Sequence, residues 1–216
     1  MALPIGAVDC VFFPAPPTEG AVRGQALGFD HIDITQAPGG PDVFSFDGEL
    51  ALPVWDHCVA RARTGCSVGV LPDTDGAWDR TIDVFRRHVP LRMEPWPGGV
   101  VNTIEKVHAM LDAVPGLGLL VDTGHVATWG EDPVELLARA DHVQLRQASF
   151  GDAQRHADDC GDVDFAAVLR RLDEVGYDGR LSIEYFDFPD LGWPLDDPLG
   201  HAVALLAHVR GLQTAR

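Results

Sequence analysis

The sequence predicts an α/β protein, a compact (β/α)8 barrel with shortened or missing helices in its N-terminal half. Three observations carry that expectation. Short apolar runs alternate with segments of helical periodicity. The count of runs reaches eight. The later runs each end in a polar residue, as strands of a parallel barrel do at their C-terminal ends. The strand candidates are Ala7–Phe13, His31–Ile34, Ala51–Val54, Ser67–Leu71, Leu91–Pro95, Leu119–Asp122, His142–Arg146 and Leu181–Phe186. Helices are clearest between the later strands. Asn102–Val114 places Ile104, Val107, His108 and Leu111 on one face, and Phe165–Val175 does so with Val168, Leu169 and Leu172. His201–Leu212 closes the chain with Val203, Leu206 and Val209. Asp132-Pro133-Val134-Glu135 reads as a capped helix start, Asp164 as a cap, and Gly176 and Gly179 as stops.

Length is the difficulty. A chain of 216 residues is short for a fold that usually takes about 250. The first ninety residues hold four strand candidates but room for two or three helices. Gln36–Glu49, rich in Gly, Pro and Asp, reads as a loop where a helix is due. A trimmed barrel spanning 1–216 as one domain is therefore expected, with a doubly wound sheet of six or seven strands as the alternative. There is no internal repeat, low-complexity segment or linker.

Composition narrows the function. With 46% hydrophobic and 23% charged residues the chain is globular in type. A formal net charge of −17 disfavours a nucleic-acid partner, whose phosphates are also negative. The longest apolar stretches, Ala7–Phe13 and Gly116–Val121, fall short of the roughly 20 residues of a membrane span. Met1–Gly6 lacks the basic and apolar regions of a secretory leader, so a cytoplasmic location is expected. Cys10, Cys58, Cys66 and Cys160 form no C-x-x-C pair and read as reduced structural thiols, with Cys160 in a polar loop as the exception. Lys106 is the only lysine, which confines Schiff-base chemistry to that residue.

The strand ends carry the chemistry. Glu94 ends Leu91–Pro95, Asp122 ends Leu119–Asp122, and Glu184 lies in Leu181–Phe186. In His142-Val143-Gln144-Leu145-Arg146, period-two alternation turns His142, Gln144 and Arg146 inward and Val143 and Leu145 outward; Ser182, Glu184 and Phe186 likewise share a face. One strand-end carboxylate alone is commonly a helix cap or an ion-pair partner, and Arg92, Arg146 and Arg155 are available as partners. Three carboxylates converging inside a barrel repel one another, and a divalent cation resolves that repulsion. Glu94, Asp122, Glu184 and the amide oxygen of Gln144 form an all-oxygen donor set, which favours Mn²⁺ or Mg²⁺ and leaves Co²⁺ or Zn²⁺ admissible. Trp96, Phe12 and Phe13 near strand ends are candidates for stacking on a sugar, with core packing as the alternative.

These motifs resemble the xylose-isomerase-like TIM-barrel superfamily of sugar isomerases and epimerases. The matching segments are Leu91-Arg92-Met93-Glu94-Pro95, Val121-Asp122-Thr123-Gly124-His125, His142-Val143-Gln144-Leu145, Gly161-Asp162-Val163-Asp164-Phe165, Gly176-Tyr177-Asp178-Gly179 and Leu181-Ser182-Ile183-Glu184-Tyr185. The likeness runs through residues 91–186; before that it is carried by Gly28–Ile34 alone, similar to the second strand. Most members carry His-x-His-x-Lys-Asp on the seventh strand, where this chain has Gln144 and Gln147. That departure is similar to the hydroxypyruvate-isomerase branch, or else marks a lost site. The resemblance implies Glu94, Asp122, Gln144 and Glu184 as metal ligands, and Arg155 and His156 as substrate contacts. A DNA-repair endonuclease of the superfamily needs more histidine ligands and a basic groove, which this chain lacks.

The expected chemistry is isomerisation or epimerisation of a small sugar, keto acid or cyclitol through an enediolate, with Glu94 and Glu184 as acid/base pair. His125 and Arg146 join Arg155 and His156 as candidate substrate contacts. A lyase or dehydratase using the same proton abstraction is the alternative, and a catalytically silent ligand-binding barrel is a third. Substrate identity and self-association into a homo-oligomer stay open; Trp193 packs over a neighbour or over its own barrel.

Overall fold

The computed structural model describes residues 2–33, 67–157, 161–189 and 192–215. The expected strand Ala51–Val54, the expected loop Gln36–Glu49, Ile34, Cys58, Cys66 and Cys160 lie outside the described residues. The remaining strand candidates all form strands. They are β1 (Ile5–Val8), β2 (Ile32–Asp33), β3 (Ser67–Gly69), β4 (Arg92–Glu94), β5 (Gly118–Asp122), β6 (His142–Leu145) and, after a hairpin of β7 (Gln147–Ser149) and β8 (Asp152–Arg155), β9 (Leu181–Ile183). Seven of them make one sheet in the order β2-β1-β9-β6-β5-β4-β3, with every pair parallel. The first strand β1 thus lies between β2 and the last strand β9, the neighbour relation that curls a parallel sheet into a (β/α)8 barrel.

Helices cover the outer face. They are α1 (Pro17–Leu27), α2 (Ala77–His88), α3 (Ile104–Ala113), α4 (Thr123–Thr128), α5 (Phe165–Glu174) and α6 (Pro198–Thr214). The expected helices between the later strands appear as α3, α5 and α6. Thr103 caps α3 through the Lys106 amide, Asp164 caps α5 through the Ala167 amide, and Gly176, at φ 70°, ends α5. Alternation along each strand divides the core. Met93, Leu119, Val121, Val143, Leu145, Leu181 and Ile183 point outward and are buried against Val107, Met110, Val168, Leu172 and Leu205 of the helices. Each such side chain contributes about 1.5–3 kcal/mol of burial. The inward positions carry Asp122, His142, Gln144 and Ser182, with Leu120 among them.

Three local readings are corrected. Asp9–Phe12 winds into a 3-10 turn rather than prolonging β1. The Asp132 start is real, with its carboxylate accepting from the Val134 amide, but it opens only a 3-10 turn, Pro133–Glu135. Phe12 is 2% exposed and packs edge-on against Phe29 in the core, away from any stacking role.

Candidate functional site

Asp122 organises the site because its two oxygens do different work. Oδ1 accepts from the Gly124 amide at 2.7 Å and the His125 amide at 3.2 Å, capping α4. The cap fixes the carboxylate, so Oδ2 faces the barrel interior. There it accepts a short hydrogen bond from Arg146 Nη2, and His125 Nε2 stands 3.7 Å away. Burial alone would raise the Asp122 pKa; the adjoining guanidinium and His125 outweigh it and hold the carboxyl below its ordinary range.

Arg146 follows β6 and is completely buried. Its backbone brackets the Thr123 hydroxyl, which accepts from the Arg146 amide and donates to its carbonyl, both at 3.0 Å. Its stem crosses Gly124, where a Cβ would stand 2.7 Å from Nε and 3.1 Å from Cβ and Cγ; only glycine leaves that room. Nη1 lies 3.6 Å from Glu184 Oε2, and Cζ lies 4.9 Å from the Phe186 ring centre. Burial works against the charge, but Asp122, Glu184 and Glu94 together raise the Arg146 pKa above its ordinary value. Neither Nε nor Nη1 makes a hydrogen bond to the described residues.

The other carboxylates are less well matched. Burial pushes Glu94 up to about 7, with Asp122 adding to the rise and Arg146 opposing it. Burial also raises Glu184 well above its usual value despite Arg146; its Oε1 lies 4.0 Å from the Cys10 thiol. The amide oxygen of Gln144 is buried without a hydrogen-bond partner. His125 places Nδ1 2.9 Å from the Pro95 carbonyl, and burial lowers its pKa to about 4. The ring is therefore neutral at pH 7, donates from Nδ1, and presents an unprotonated Nε2. Glu94, Asp122 and His125 each offer one atom within 4.8 Å of the others, a spacing that one metal ion spans. His125 is expected from its spacing to face a substrate oxygen or the base, with a buried structural role as the alternative; the structure buries it beside the carboxylates.

One step deeper in the same barrel lies a second polar layer. Asp33 Oδ2 accepts from Ser182 Oγ at 2.6 Å and from His142 Nε2 at 2.7 Å, and His31 Nε2 lies 3.0 Å from Ser182 Oγ. Burial would raise the Asp33 pKa, yet the hydrogen bonds and charges around it lower it. Above the carboxylates is an aromatic wall. Trp193 lies 5.4 Å from Phe186, 6.2 Å from His125 and 6.3 Å from Trp96, so Trp193 covers its own barrel. Phe13, 41% exposed, joins through Phe188 at 6.1 Å.

Arg155 and His156 fall at the hairpin. Arg155 Nη1 donates to Ser149 Oγ at 3.1 Å, and the His156 ring lies 4.5 Å from that of His201. A separate cleft of about 600 Å³ runs along Trp129, Glu131, Phe150 and Asp162. Glu131 and Asp162 accept there from the Ile104 and Phe150 amides. No helix among the described residues is long and apolar enough to cross a membrane.

Comparison with known proteins agrees with this fold. An inosose dehydratase of Clostridium perfringens is 30% identical over 122 residues, which is 46% of this chain and 41% of that protein, so the match spans about two-fifths of the relative's length. Two solved structures share the fold. One is an L-ribulose 3-epimerase, with TM-score 0.73, 19% identity, and coverage of 100% of this chain and 96% of that one. The other is a xylose isomerase-like TIM-barrel protein from Mycobacterium smegmatis in complex with magnesium, with TM-score 0.68, 16% identity, and coverage of 99% and 97%. The sequence profile of the family described as xylose isomerase-like TIM barrel matches residues 76–209, more than half of the chain and every strand that supplies Glu94, Asp122, Gln144, Arg146 and Glu184. The chain belongs to the xylose isomerase-like TIM-barrel family.

Proposed function

We propose that the chain is a divalent-cation-dependent isomerase or epimerase of a small sugar, keto acid or cyclitol, working through an enediolate. The observation that carries this reading is the mismatch at the strand ends. Three carboxylates gather around one guanidinium, the only buried cation beside them among the described residues, and the amide oxygen of Gln144, in register with Asp122, has no partner. Glu94, Asp122, Gln144 and Glu184 would hold one Mn²⁺ or Mg²⁺. Bound there, the cation would polarise a carbonyl and its neighbouring hydroxyl and favour loss of the proton on the adjacent carbon.

The side chains do the rest. Glu94 on β4 and Glu184 after β9 approach from strands separated by β5 and β6, so they address a substrate from two sides. That is the arrangement for removing a proton with one carboxylate and returning it with the other. Nε2 of neutral His125 accepts from a substrate hydroxyl. Trp96 and Trp193 supply an apolar surface for the C–H face of a sugar and exclude water. Arg155 and His156, at the hairpin, contact the far end of the substrate.

Proton NMR in D₂O with added Mn²⁺ tests the proposal against a panel of ketopentoses, ketohexoses, hydroxypyruvate and inososes. Deuterium entering the carbon next to the carbonyl of at least one compound is the expected result. Folded, Mn²⁺-loaded protein that exchanges none of them would overturn it. A second reading, dehydration of a keto-cyclitol after the same proton abstraction, is favoured by the inosose dehydratase match. It is recognised in the same spectra by loss of water from the product.

A further inference from the structure

The charge balance of the site turns on Arg146. Its guanidinium is hydrogen-bonded to Asp122 and 3.6 Å from Glu184, two of the four groups proposed to hold the cation. It is not a surface side chain folded inward. The residue is completely buried, its backbone is clamped by Thr123, its stem fills the space that Gly124 leaves, and Phe186 lies against its charged end. The barrel is built to keep this positive charge where it stands. A guanidinium and a divalent ion cannot both draw fully on one carboxylate oxygen, and two cations a few ångströms apart inside a protein repel by several kcal/mol at an effective dielectric of about 20.

We infer that Arg146 is a resident counter-ion that competes with the divalent cation for Asp122 and Glu184. It keeps the carboxylates paired when the cation is away and holds cation affinity down. This inference rests on the proposed cation site and adds a property to it. Arg146 acts through the ligands, as a positioning residue, with Nε and Nη1 making no hydrogen bond to the described residues.

Two readouts test it, neither of them activity: Mn²⁺ affinity by calorimetry and melting temperature with and without Mn²⁺. Arg146→Met removes the charge and is expected to bind Mn²⁺ at least about tenfold more tightly than the native chain. Its metal-free form should melt lower, and Mn²⁺ should restore more of the melting temperature than it adds to the native protein. Arg146→Lys, which keeps a charge on a shorter stem, should fall between. Gly124→Ala pushes the stem aside without touching the charge or the ligands, and should also tighten Mn²⁺ binding. It serves if Arg146→Met fails to fold. Equal or weaker binding in the folded variants, with the native chain binding Mn²⁺, overturns the inference and leaves the cation site standing. No Mn²⁺ bound by the native chain or any variant overturns both.

Discussion

Two polar layers lie inside this barrel, set two residues apart where β6 and the β9 segment supply both, His142 below Gln144 and Ser182 below Glu184. The deeper one, His31, Asp33, His142 and Ser182, satisfies its one acid internally: the Asp33 carboxylate takes two hydrogen bonds under 2.8 Å, and Ser182 joins it to His31, whose Nδ1 is left without a partner. The outer one, Glu94, Asp122, Gln144, Arg146 and Glu184, has one guanidinium for three acids and an amide oxygen with no partner. A buried polar group left unmatched costs about 1–3 kcal/mol, and in the outer layer the unmatched groups are surplus carboxylates and an amide oxygen, the donors that a cation completes. The difference separates scaffold from chemistry better than residue type does, since both layers contain acids and bases. The pKa shifts follow the supply of partners rather than the layer: Asp122, paired with Arg146, is held below its ordinary range. Asp33 is held below its ordinary value, whereas Glu94 is driven up to about 7 and Glu184 well above its usual range.

The sharpest way to break the comparison is Glu184→Gln. It should slow deuterium exchange at least about a hundredfold in the NMR assay while leaving the melting temperature unchanged or higher, because a costly buried acid has gone. The mirror experiment is His142→Ala in the deeper layer. It should lower stability to urea by about 1–3 kcal/mol through the unmatched Asp33, and leave Mn²⁺ affinity within about twofold. Next comes Gln144→Leu, which removes the orphaned oxygen. Mn²⁺ affinity should fall several-fold in calorimetry, with no loss of stability. The smallest effect is that of Asp33→Asn on acid unfolding. The folded-state pKa of Asp33 is depressed, so its contribution is present above the unfolded value of about 3.9 and is lost as pH falls through the folded value. Melting curves should show the native chain losing its advantage over Asp33→Asn below about pH 4, and no such convergence would detach Asp33 from the scaffold role.

The later half was legible because period-two alternation and helix caps are local. His142, Gln144 and Arg146 turn inward as the alternation requires, and Asp164 caps α5 as its position suggests. The gathering of Glu94, Asp122 and Glu184 around one point was legible for the same reason: in a parallel barrel, strand ends meet. The partner choices inside that ring were not. The sequence offers Arg146 both as an ion-pair partner of the strand-end carboxylates and as a substrate contact; the structure pairs it with Asp122 and Glu184, and nothing local says which of the three arginines takes that place. Gly124, in Asp-Thr-Gly-His, was the available signal, since a glycine one residue into a helix marks a close approach. The antiparallel hairpin β7–β8 also escaped, because Gln147–Arg155 is too polar to show strand alternation against the apolar runs around it. Helices α1 and α2 follow Pro- and Gly-rich turns that masked their starts, although α2 buries Val84 and Phe85 and ends on Arg86, Arg87 and His88 as its dipole favours.

The most direct test of the central claim is a Mn²⁺ titration followed by electron paramagnetic resonance, run on the native chain, Glu184→Gln and His142→Ala. The account predicts one bound Mn²⁺ per native chain, weakened or lost in Glu184→Gln and retained in folded His142→Ala. Mn²⁺ binding that ignores Glu184, or that disappears with His142 while the fold persists, would contradict it.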